Sequence, residues 1–582
     1  VKENATIDAA RNETERSMSV MRQRFPNEYA TVGATLERVD VYATKGVRKA
    51  VIALLGAAVL LLLMSCANVS SLMLGRAIER RTDVAVRTAL GARATRLVRQ
   101  SAVEALLLWL IAGVLGIGLA TWGVRALLLL SATPLPRVER MVIDFKTVAV
   151  ALGLALVSAV LAGALPAILS ARGAVIDKIR VGARNIVGRG TQRLRGALIV
   201  AEVALALVML CGTGLLVRSV SALLDVRLGF DAVHVVDVDI SLSGPRYNND
   251  TTIVEYFQRV VDAARGLPEV QSAALTSQLP LGGNFDGWGV HRKDKPSANP
   301  ENDPSAQRFG VTSDYFATMQ IPLLSGRLFT ASDNGTSPLV VLINRAMAEN
   351  VFAGENPIGK EVQIGGTDGE WRAIVGVVDN VKHLSIDGKA ENQLYHPFEQ
   401  RVDGGMSLVV RTTADPRALS QSLPNAIRAL DRSIAVSRAK PMEEFVASAL
   451  SQRRFVLKLL AVFGVVALVL VSAGLYGVAA ASVAERRREI GLRAALGATR
   501  SRIVSTVLSR SARLVGVGLA IGVATALVLN RTLRSVLFGV TPSDPWTIAA
   551  VIGVLLFVAG LASLIPARRA AAVDPAITLR SE

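Results

Sequence analysis

Cysteine is almost absent. Only Cys66 and Cys211 occur in 582 residues. Both fall inside apolar runs, so no disulfide framework can be read from the chain and their role is packing. Histidine is nearly as sparse. The four, His234, His291, His383 and His396, stand alone, none at a metal-ligand spacing such as HExxH, and they read as solvated or core side chains with no metal site. No GxSxG elbow occurs. The nearest approach to a phosphate loop, GENPIGKE at 354–361, puts Glu361 where a Ser or Thr should hold Mg²⁺, and a carboxylate there repels phosphate. A turn before a strand is the better reading. The sequence therefore offers no catalytic residue, no cofactor site and no nucleotide-hydrolysing motif of its own.

Acidic residues are also short, 47 against 65 Lys and Arg, leaving a net charge of +18. Such an excess suggests nucleic acid unless its location says otherwise. It resides wholly in four segments, 76–100, 171–195, 485–513 and 567–582, which together hold 25 basic and seven acidic residues. Each flanks an apolar run and all fall on one side of the expected topology. That is the positive-inside pattern, so these segments are cytoplasmic and the basicity is not a nucleic-acid face.

What the chain has in abundance is apolar sequence. Hydrophobic residues make up 51% of it, with 48 glycines. Seven segments have the length of roughly 17–25 residues that crosses a bilayer as helix: Ala50 to Gly75, Ser101 to Val124, Thr147 to Ala171, Gly196 to Val217, Leu459 to Ala484, Leu514 to Asn530 and Pro545 to Ala567. Small residues four apart, such as Ala112 and Gly116, Ala473 and Gly477, and Gly518 and Gly522, suit close helix packing. Glu202 is the sharp exception within a span. It lies seven residues past Arg195, close enough to the edge to snorkel or pair with a basic residue, against the alternative that an intramembrane carboxylate is functional.

Between the fourth and fifth spans, residues 221–453 change texture to strands, short helices and turns, an α+β pattern. Strands are expected at His234 to Ile240, Val270 to Leu275, Leu339 to Ile343, Trp371 to Val378 and Met406 to Arg411. Helices are expected at Thr251 to Arg265, behind the third strand, at Arg417 to Leu430 and at Met442 to Leu450. Counting crossings places this domain opposite the basic segments. Residues 1–46 carry a helix-like run at Ala9 to Phe25 and a strand-like run at Thr35 to Tyr42, and read as the tail of something larger. The organisation is then 1–46, the end of a first outer domain; 47–171, three spans; 172–195, a cytoplasmic linker; 196–220, one span; 221–453, the outer domain; and 454–582, three spans.

A short stretch occurs twice. ERRTDVAVRTALGA at 79–92 returns as ERRREIGLRAALGA at 485–498, displaced by 406 positions and again set between two apolar runs. Asp83 with Arg87, and Glu489 with Arg493, are helix-supporting pairs four apart, worth about 0.3–0.5 kcal/mol. Val86 with Leu90, and Leu492 with Leu496, make a small apolar ridge, and Gly91 and Gly497 suit the helix end. Each copy is a compact basic and apolar knob at the cytoplasmic surface. Two copies in a pseudo-symmetric chain favour docking to a symmetric partner over a surface helix that only fixes topology.

These stretches, with LIPARRAAAVDPAITLRSE at 564–582, FGVTPSDP at 538–545 and QRRF at 452–455, resemble the MacB/FtsX superfamily of ABC transporter permeases. GVTSDYFATMQIPLLSGRLF at 310–329, NPIGKEV at 356–362 and WRAIVGVV at 371–378 resemble the MacB-type periplasmic core domain. The tandem halves resemble the acidobacterial duplicated orphan permeases, here N-terminally truncated.

The resemblance implies a polytopic α-helical protein of the bacterial inner membrane, with seven spans here and eight in the intact form, and with 221–453 periplasmic and the C-terminus cytoplasmic. It implies that Glu79, Arg80, Arg81, Asp83, Arg87, Leu90 and Gly91, and Glu485, Arg486, Arg487, Glu489, Arg493, Leu496 and Gly497, couple to a separate ABC ATPase subunit. That subunit's cycle would drive mechanotransmission to the periplasmic domain and efflux of an amphipathic compound, peptide or lipid-linked cargo. Membrane lipid and a periplasmic adaptor or outer-membrane channel are the further partners implied. The two halves act as a pseudo-dimer. Substrate-free control of an envelope enzyme and an ATPase-independent scaffold are the alternatives.

Overall fold

The computed structural model describes residues 6–25, 34–38, 48–79, 94–130, 144–158, 160, 186–297, 303–365, 369–485, 499–535 and 537–571. The chain divides into two compact units, Val1–Lys45 with Leu223–Gln452, and Gly46–Ala222 with Arg453–Glu582.

In the first unit an N-terminal helix, α1 (Ile7–Arg24), starts where Thr6 accepts a hydrogen bond from the Ala9 amide. The strand expected at Thr35 to Tyr42 is not formed over 34–38, and its remainder lies outside the described residues. A strand needs a neighbour to complete its ladder, and no strand pairs with this segment among the described residues.

The α/β domain follows in chain order as β1 (Val235–Ser241), α6 (Asp250–Arg265), β2 (Val270–Thr276), β3 (Gly287–Arg292), β4 (Ser305–Val311), α7 (Tyr315–Met319), β5 (Leu323–Gly326), β6 (Val340–Asn344), α8 (Arg345–Val351), β7 (Glu361–Ile364), β8 (Arg372–Val378), β9 (Gln393–Pro397), β10 (Gly405–Thr412), α9 (Leu419–Leu430), β11 (Ala435–Val436) and β12 (Lys440–Pro441). The pairing order runs β11-β1-β10-β2-β4-β3-β7-β8-β6-β9, and β9 returns to pair with β4. Six strands, β4, β3, β7, β8, β6 and β9, thereby close into a ring, with an antiparallel sheet of β2, β10, β1 and β11 extending from it.

Alternation on that sheet separates two cores. Val236, Val238 and Ile240 of β1 with Met406, Leu408 and Val410 of β10 face α6 and α9. Val235 and Val409 face a cluster of Tyr315, Phe316 and Met319 on α7. Helix α6 forms because Ile253, Tyr256, Phe257, Val260, Val261 and Ala264 recur at helical spacing and are buried, an apolar stripe whose reason is core burial. Asn249 caps it, accepting from the Thr252 amide at 2.8 Å. Inside the ring Val290, Val341, Ile343, Val362, Ile374 and Leu394 pack with Met347 and Phe352.

The second unit contains α2 (Arg48–Glu79), α3 (Ala94–Leu130), α4 (Phe145–Ser158), α5 (Ile186–Leu224), the membrane part of α10 (Met442–Glu485), α11 (Arg500–Leu529) and α12 (Pro545–Ala571). Five are long and apolar enough to span a membrane over described residues: Ala50–Leu74, Gln192–Leu224, Met442–Val483, Arg500–Leu529 and Pro545–Arg569. Trp109–Arg125, an apolar stretch of α3, and the apolar helix Phe145–Ser158 overlap the second and third expected spans. Residues 161–171 of the third lie outside the described residues.

Among those five, helix α5 is the most enclosed, with 56% of its apolar window buried against 17–28% for the other four. Its neighbours reach it at glycine. A Cβ on Gly518 would stand 2.8 Å from Val203 Cβ, and one on Gly522 3.0 Å from Ala204 Cα, so α11 lies directly on α5. On α10, Gly464 meets Leu210, and Gly214 of α5 itself meets Thr547 of α12. The expected Gly518 and Gly522 pair thus makes a close contact, whereas a Cβ on Gly116 would meet nothing within 4 Å.

Helix α12 begins where the FGVTPSDP loop supplies Asp544 as cap and Pro545 as first helical residue. Asp544 accepts from the Thr547 amide at 2.8 Å and hydroxyl at 2.6 Å, and pairs with Arg218 of α5.

Polar groups buried in the α/β domain make a pH prediction. His396 is fully buried on β9, its Nδ1 donating to the Pro397 carbonyl at 3.0 Å. Burial, with the charges of Arg308, Arg372 and Arg401, pushes it down to about 3. An opened β9 would take up a proton below about pH 6.5 that the native histidine refuses, so stability falls as pH drops through the window from about 6.5 to about 3. The slope approaches tenfold in the opening equilibrium per pH unit. Hydrogen exchange of β9 amides in the intact detergent-solubilised chain, corrected for intrinsic rates, should show this between pH 7 and 5. His396→Gln should flatten it, and an unchanged slope in that variant would refute the assignment.

Candidate functional site

The duplicated motif frames the site. Helix α2 ends at Glu79 and α10 at Glu485, while α3 begins at Ala94 and α11 at Arg500, so both flanks keep the 406-residue displacement of the sequence repeat. Glu79 and Glu485 are described only as helix ends. Arg80, Arg81, Asp83, Arg87, Leu90 and Gly91 of the first copy, and Arg486, Arg487, Glu489, Arg493, Leu496 and Gly497 of the second, lie outside the described residues.

The same displacement makes Asn68 on α2 the equivalent of Gly474 on α10, and the two meet. Asn68 Nδ2 donates to the Leu470 carbonyl of α10 at 2.7 Å. That bond orients Asn68 Oδ1, which would stand 3.2 Å from a Cβ built on Gly474. Helices related by a two-fold axis touch each other at equivalent positions only on that axis. The Asn68 and Gly474 contact therefore marks where the pseudo-two-fold of the two halves passes.

Glu202 of α5 sits at this crossing. Its Oε2 would lie 2.2 Å from the same Gly474 Cβ, the residue is 1% exposed, and neither carboxylate oxygen has a hydrogen-bond partner among the described residues. This corrects the expectation that Glu202 snorkels or pairs with a basic residue. The glycine leaves the room the carboxylate fills, and at about 1.5 Å per residue Arg195 is about 10 Å away along the helix. The Glu202 carboxyl and Asn68 Oδ1 thus lie together inside the bundle, against the same glycine. The sequence signal for Asn68 existed: superposing the two halves at the repeat's own displacement sets it against Gly474.

The remaining candidates resolve as structure. The 354–361 segment is a turn with positive φ at Gly354 (74°) and Gly359 (84°), leading into β7. Lys360 is ion-paired with Glu355 and, at 3.1 Å, with Asp294, and Glu361 pairs with Lys293, so the lysine is committed to carboxylates. His291 bonds Asp303 at 2.6 Å and the Gly365 carbonyl at 2.8 Å. His383 and His396 are core residues, and His234 takes a left-handed turn with φ 58°. Among the described residues no three His, Cys, Asp or Glu side chains gather as metal ligands.

Fold and site together define a multi-pass membrane protein in which helices of two equivalent halves cross at matching residues, and which carries one mixed α/β domain. Known proteins carry the same parts. The FtsX-like permease C-terminal family matches twice, at residues 55–174 and 461–575, and the MacB-like periplasmic core domain matches 197–429 between them. The chain is thus of the MacB/FtsX type of ABC transporter permease, with an extracytoplasmic, periplasmic core domain flanked by two FtsX domains.

Among its relatives, the uncharacterized ABC transporter permease YknZ of Bacillus subtilis is 28% identical over 299 residues, 48% of this chain and 72% of that protein. The probable syringafactin export ATP-binding/permease protein SyfD of Pseudomonas syringae is 26% identical over 289 residues, 47% of this chain and 42% of that protein. The macrolide export ATP-binding/permease protein MacB of Syntrophobacter fumaroxidans is 24% identical over 336 residues, 47% of each. The chain spans less than half the length of these two ATP-binding/permease relatives. The crystal structure of the periplasmic region of MacB from Actinobacillus actinomycetemcomitans is 17% identical, with a TM-score of 0.27, covering 39% of this chain and 97% of that one.

The crossing is testable by overpacking. Gly474→Ala should cost about 1–3 kcal/mol, read as a lowered unfolding temperature of the detergent-solubilised chain. Adding Glu202→Ala should recover most of it, because the added methyl then has space. Additive losses would show that the two residues do not share the site.

Proposed function

We propose that the chain is the membrane permease of an ABC-type export system, driven by a separate nucleotide-binding subunit that docks on the two cytoplasmic knobs. The observation that carries this is the matched 406-residue displacement of the helix ends on either side of both knobs, with α2 and α10 meeting at equivalent residues. A two-fold arrangement of that kind suits two copies of an ATPase subunit, one per half. The Bacillus subtilis relatives named as ABC transporter permeases favour a permease whose ATPase is a separate chain.

In this reading Arg80, Arg81 and Arg87, with their counterparts Arg486, Arg487 and Arg493, supply the basic face of each knob. Leu90 and Leu496 supply its apolar ridge, and Gly91 and Gly497 end it. Glu202 and Asn68 lie on the path by which a change in the angle between the halves reaches α5. Helix α10 places Met442 in the core of the α/β domain and Ala467, Val471 and Leu475 in that of the membrane unit, a single element through which movement could pass. The cargo would be an amphipathic compound, peptide or lipid-linked molecule taken from the periplasm or outer leaflet of the inner membrane. A periplasmic adaptor or outer-membrane channel would receive it.

Replacing both Arg87 and Arg493 by Glu should weaken co-purification with the cognate ATPase by at least about tenfold, since like charges set across an interface cost several kcal/mol. Either single change should have a smaller effect. Full retention in the double variant, with insertion unchanged, would remove the docking assignment. In vesicles reconstituted with that ATPase, cargo movement supports export, whereas ATPase stimulation without movement would favour a mechanical signalling protein.

A further inference from the structure

Strand β1 carries an acid where its inward face should be apolar. Alternation puts Asp237 on the face of Val235, which packs with Val409, with Met442 of α10 and, at the margin, with Phe445. The residue is 1% exposed, and its Oδ1 has no hydrogen-bond partner among the described residues. The Ser407 hydroxyl of β10, which is in reach, donates to Asp239 Oδ1 at 2.6 Å.

A cation stands next to this acid without pairing to it. Lys440 of β12 is the register partner of Asp237. Paired residues of adjacent antiparallel strands share a face with Cβ atoms about 4.5–5.5 Å apart, well within the span of a lysine side chain. Lys440 nevertheless makes no ion pair with Asp237 among the described residues, and its ammonium lies over the Phe445 ring, 5.8 Å from the centroid. Phe445 is at the start of α10. The lysine thus has two stations, a ring and a carboxyl, and the charge of the acid decides between them.

Burial, with the charge of Asp239 beside it, holds the Asp237 carboxyl well above the ordinary range, and Ser407 and Lys440 offset part of this. The charged groups that act on it are therefore Asp239 on its own strand and Lys440 on β12. β10 faces it with Val409 and Ser407, and Glu443 and Glu444 of α10 are exposed. In an opened chain an aspartate titrates near about 3.9, so the protonated arrangement is the stable one at low pH and is lost as pH rises through the native value. A neutral carboxyl offers a lysine little, and the aromatic face is then the better neighbour. Once ionised in this apolar setting, the carboxylate needs a cation.

We propose that Asp237, Lys440 and Phe445 form a proton-operated switch at the root of α10. With Asp237 protonated, Lys440 rests on Phe445; with Asp237 ionised, Lys440 turns to pair with it, leaves the ring and ties β12 to β1. The device gives the pH around the α/β domain a route to the helix that continues into the membrane unit. As a property of the domain it does not rest on the export reading; as control of export it does.

The test uses the whole chain in lipid nanodiscs without any ATPase, with Phe445 replaced by para-trifluoromethylphenylalanine as the single fluorine probe. Its fluorine NMR resonance is followed from about pH 4, where an ordinary aspartate titrates, to about pH 9. A single transition of one-proton steepness is expected. Asp237→Asn should hold the resonance at its acid-side position throughout, and Lys440→Met should remove the transition. Asp239→Asn should move the midpoint to lower pH, because it takes a like charge away from Asp237. A resonance that stays fixed in the otherwise unaltered chain, or that moves alike in Asp237→Asn, would overturn the proposal. Since no ATPase is present, failure of transport in vesicles would leave the switch standing, and a fixed resonance would leave the export reading untouched.

Discussion

Close approach at glycine is the constraint on which the membrane unit depends. Within a bilayer lipid tails are as apolar as leucine, so helices gain nothing from hiding hydrophobic surface and associate through contact and interhelical hydrogen bonds. Helix α5 meets that requirement on several sides, with Gly518 and Gly522 of α11, Gly464 and Gly474 of α10, and its own Gly214 toward α12. At one of these points the space is given to a carboxylate, and at that point equivalent residues of the two halves meet. The arrangement ties symmetry, packing and the intramembrane acid to one locus. A substitution at Gly474 would therefore act on all three, which is why its effect cannot be assigned to packing without the paired change at Glu202.

Legibility in the sequence followed how plainly each element states its surroundings. The strands β1, β2, β6, β8 and β10 and the helices α6 and α9 were expected within a few residues of where they lie, because they are runs rich in apolar residues, recurring at helical spacing in α6 and α9. Seven strands were missed, β3, β4, β5, β7, β9, β11 and β12, and the reason is visible in two of them. β4 buries Gln307 and Arg308, and β9 buries Gln393 and His396. Both are buried on both faces for nearly their whole length, so they lack the polar alternation that announces a half-exposed strand. Several of their buried polar groups find partners remote in sequence: the Gln393 side chain with Asn344 and Val381, and Arg308 with Asp286 and Asp403.

The site was legible to a different degree. The repeat announced the two halves, and its displacement is kept by the ends of four helices. The contact between the halves was not announced, because Asn68 and Gly474 are unlike side chains, and only their shared position in the repeat relates them. Glu202 was found by its charge and misjudged in its surroundings, since distance along the sequence to Arg195 says nothing about which neighbour leaves room for a carboxylate.

The return of β9 to β4 has a consequence for how the domain can be engaged. A ring of paired strands offers no free backbone amides or carbonyls along its circumference, so another chain cannot extend it by laying a strand alongside. Among the described strands the open edges lie outside the ring: β5, β11 and β12, four, two and two residues long, and the side of β2 away from β10, which pairs with β4 only at Thr276. Edges as short as the first three give an added strand little purchase, so the one open run of any length belongs to β2, outside the ring.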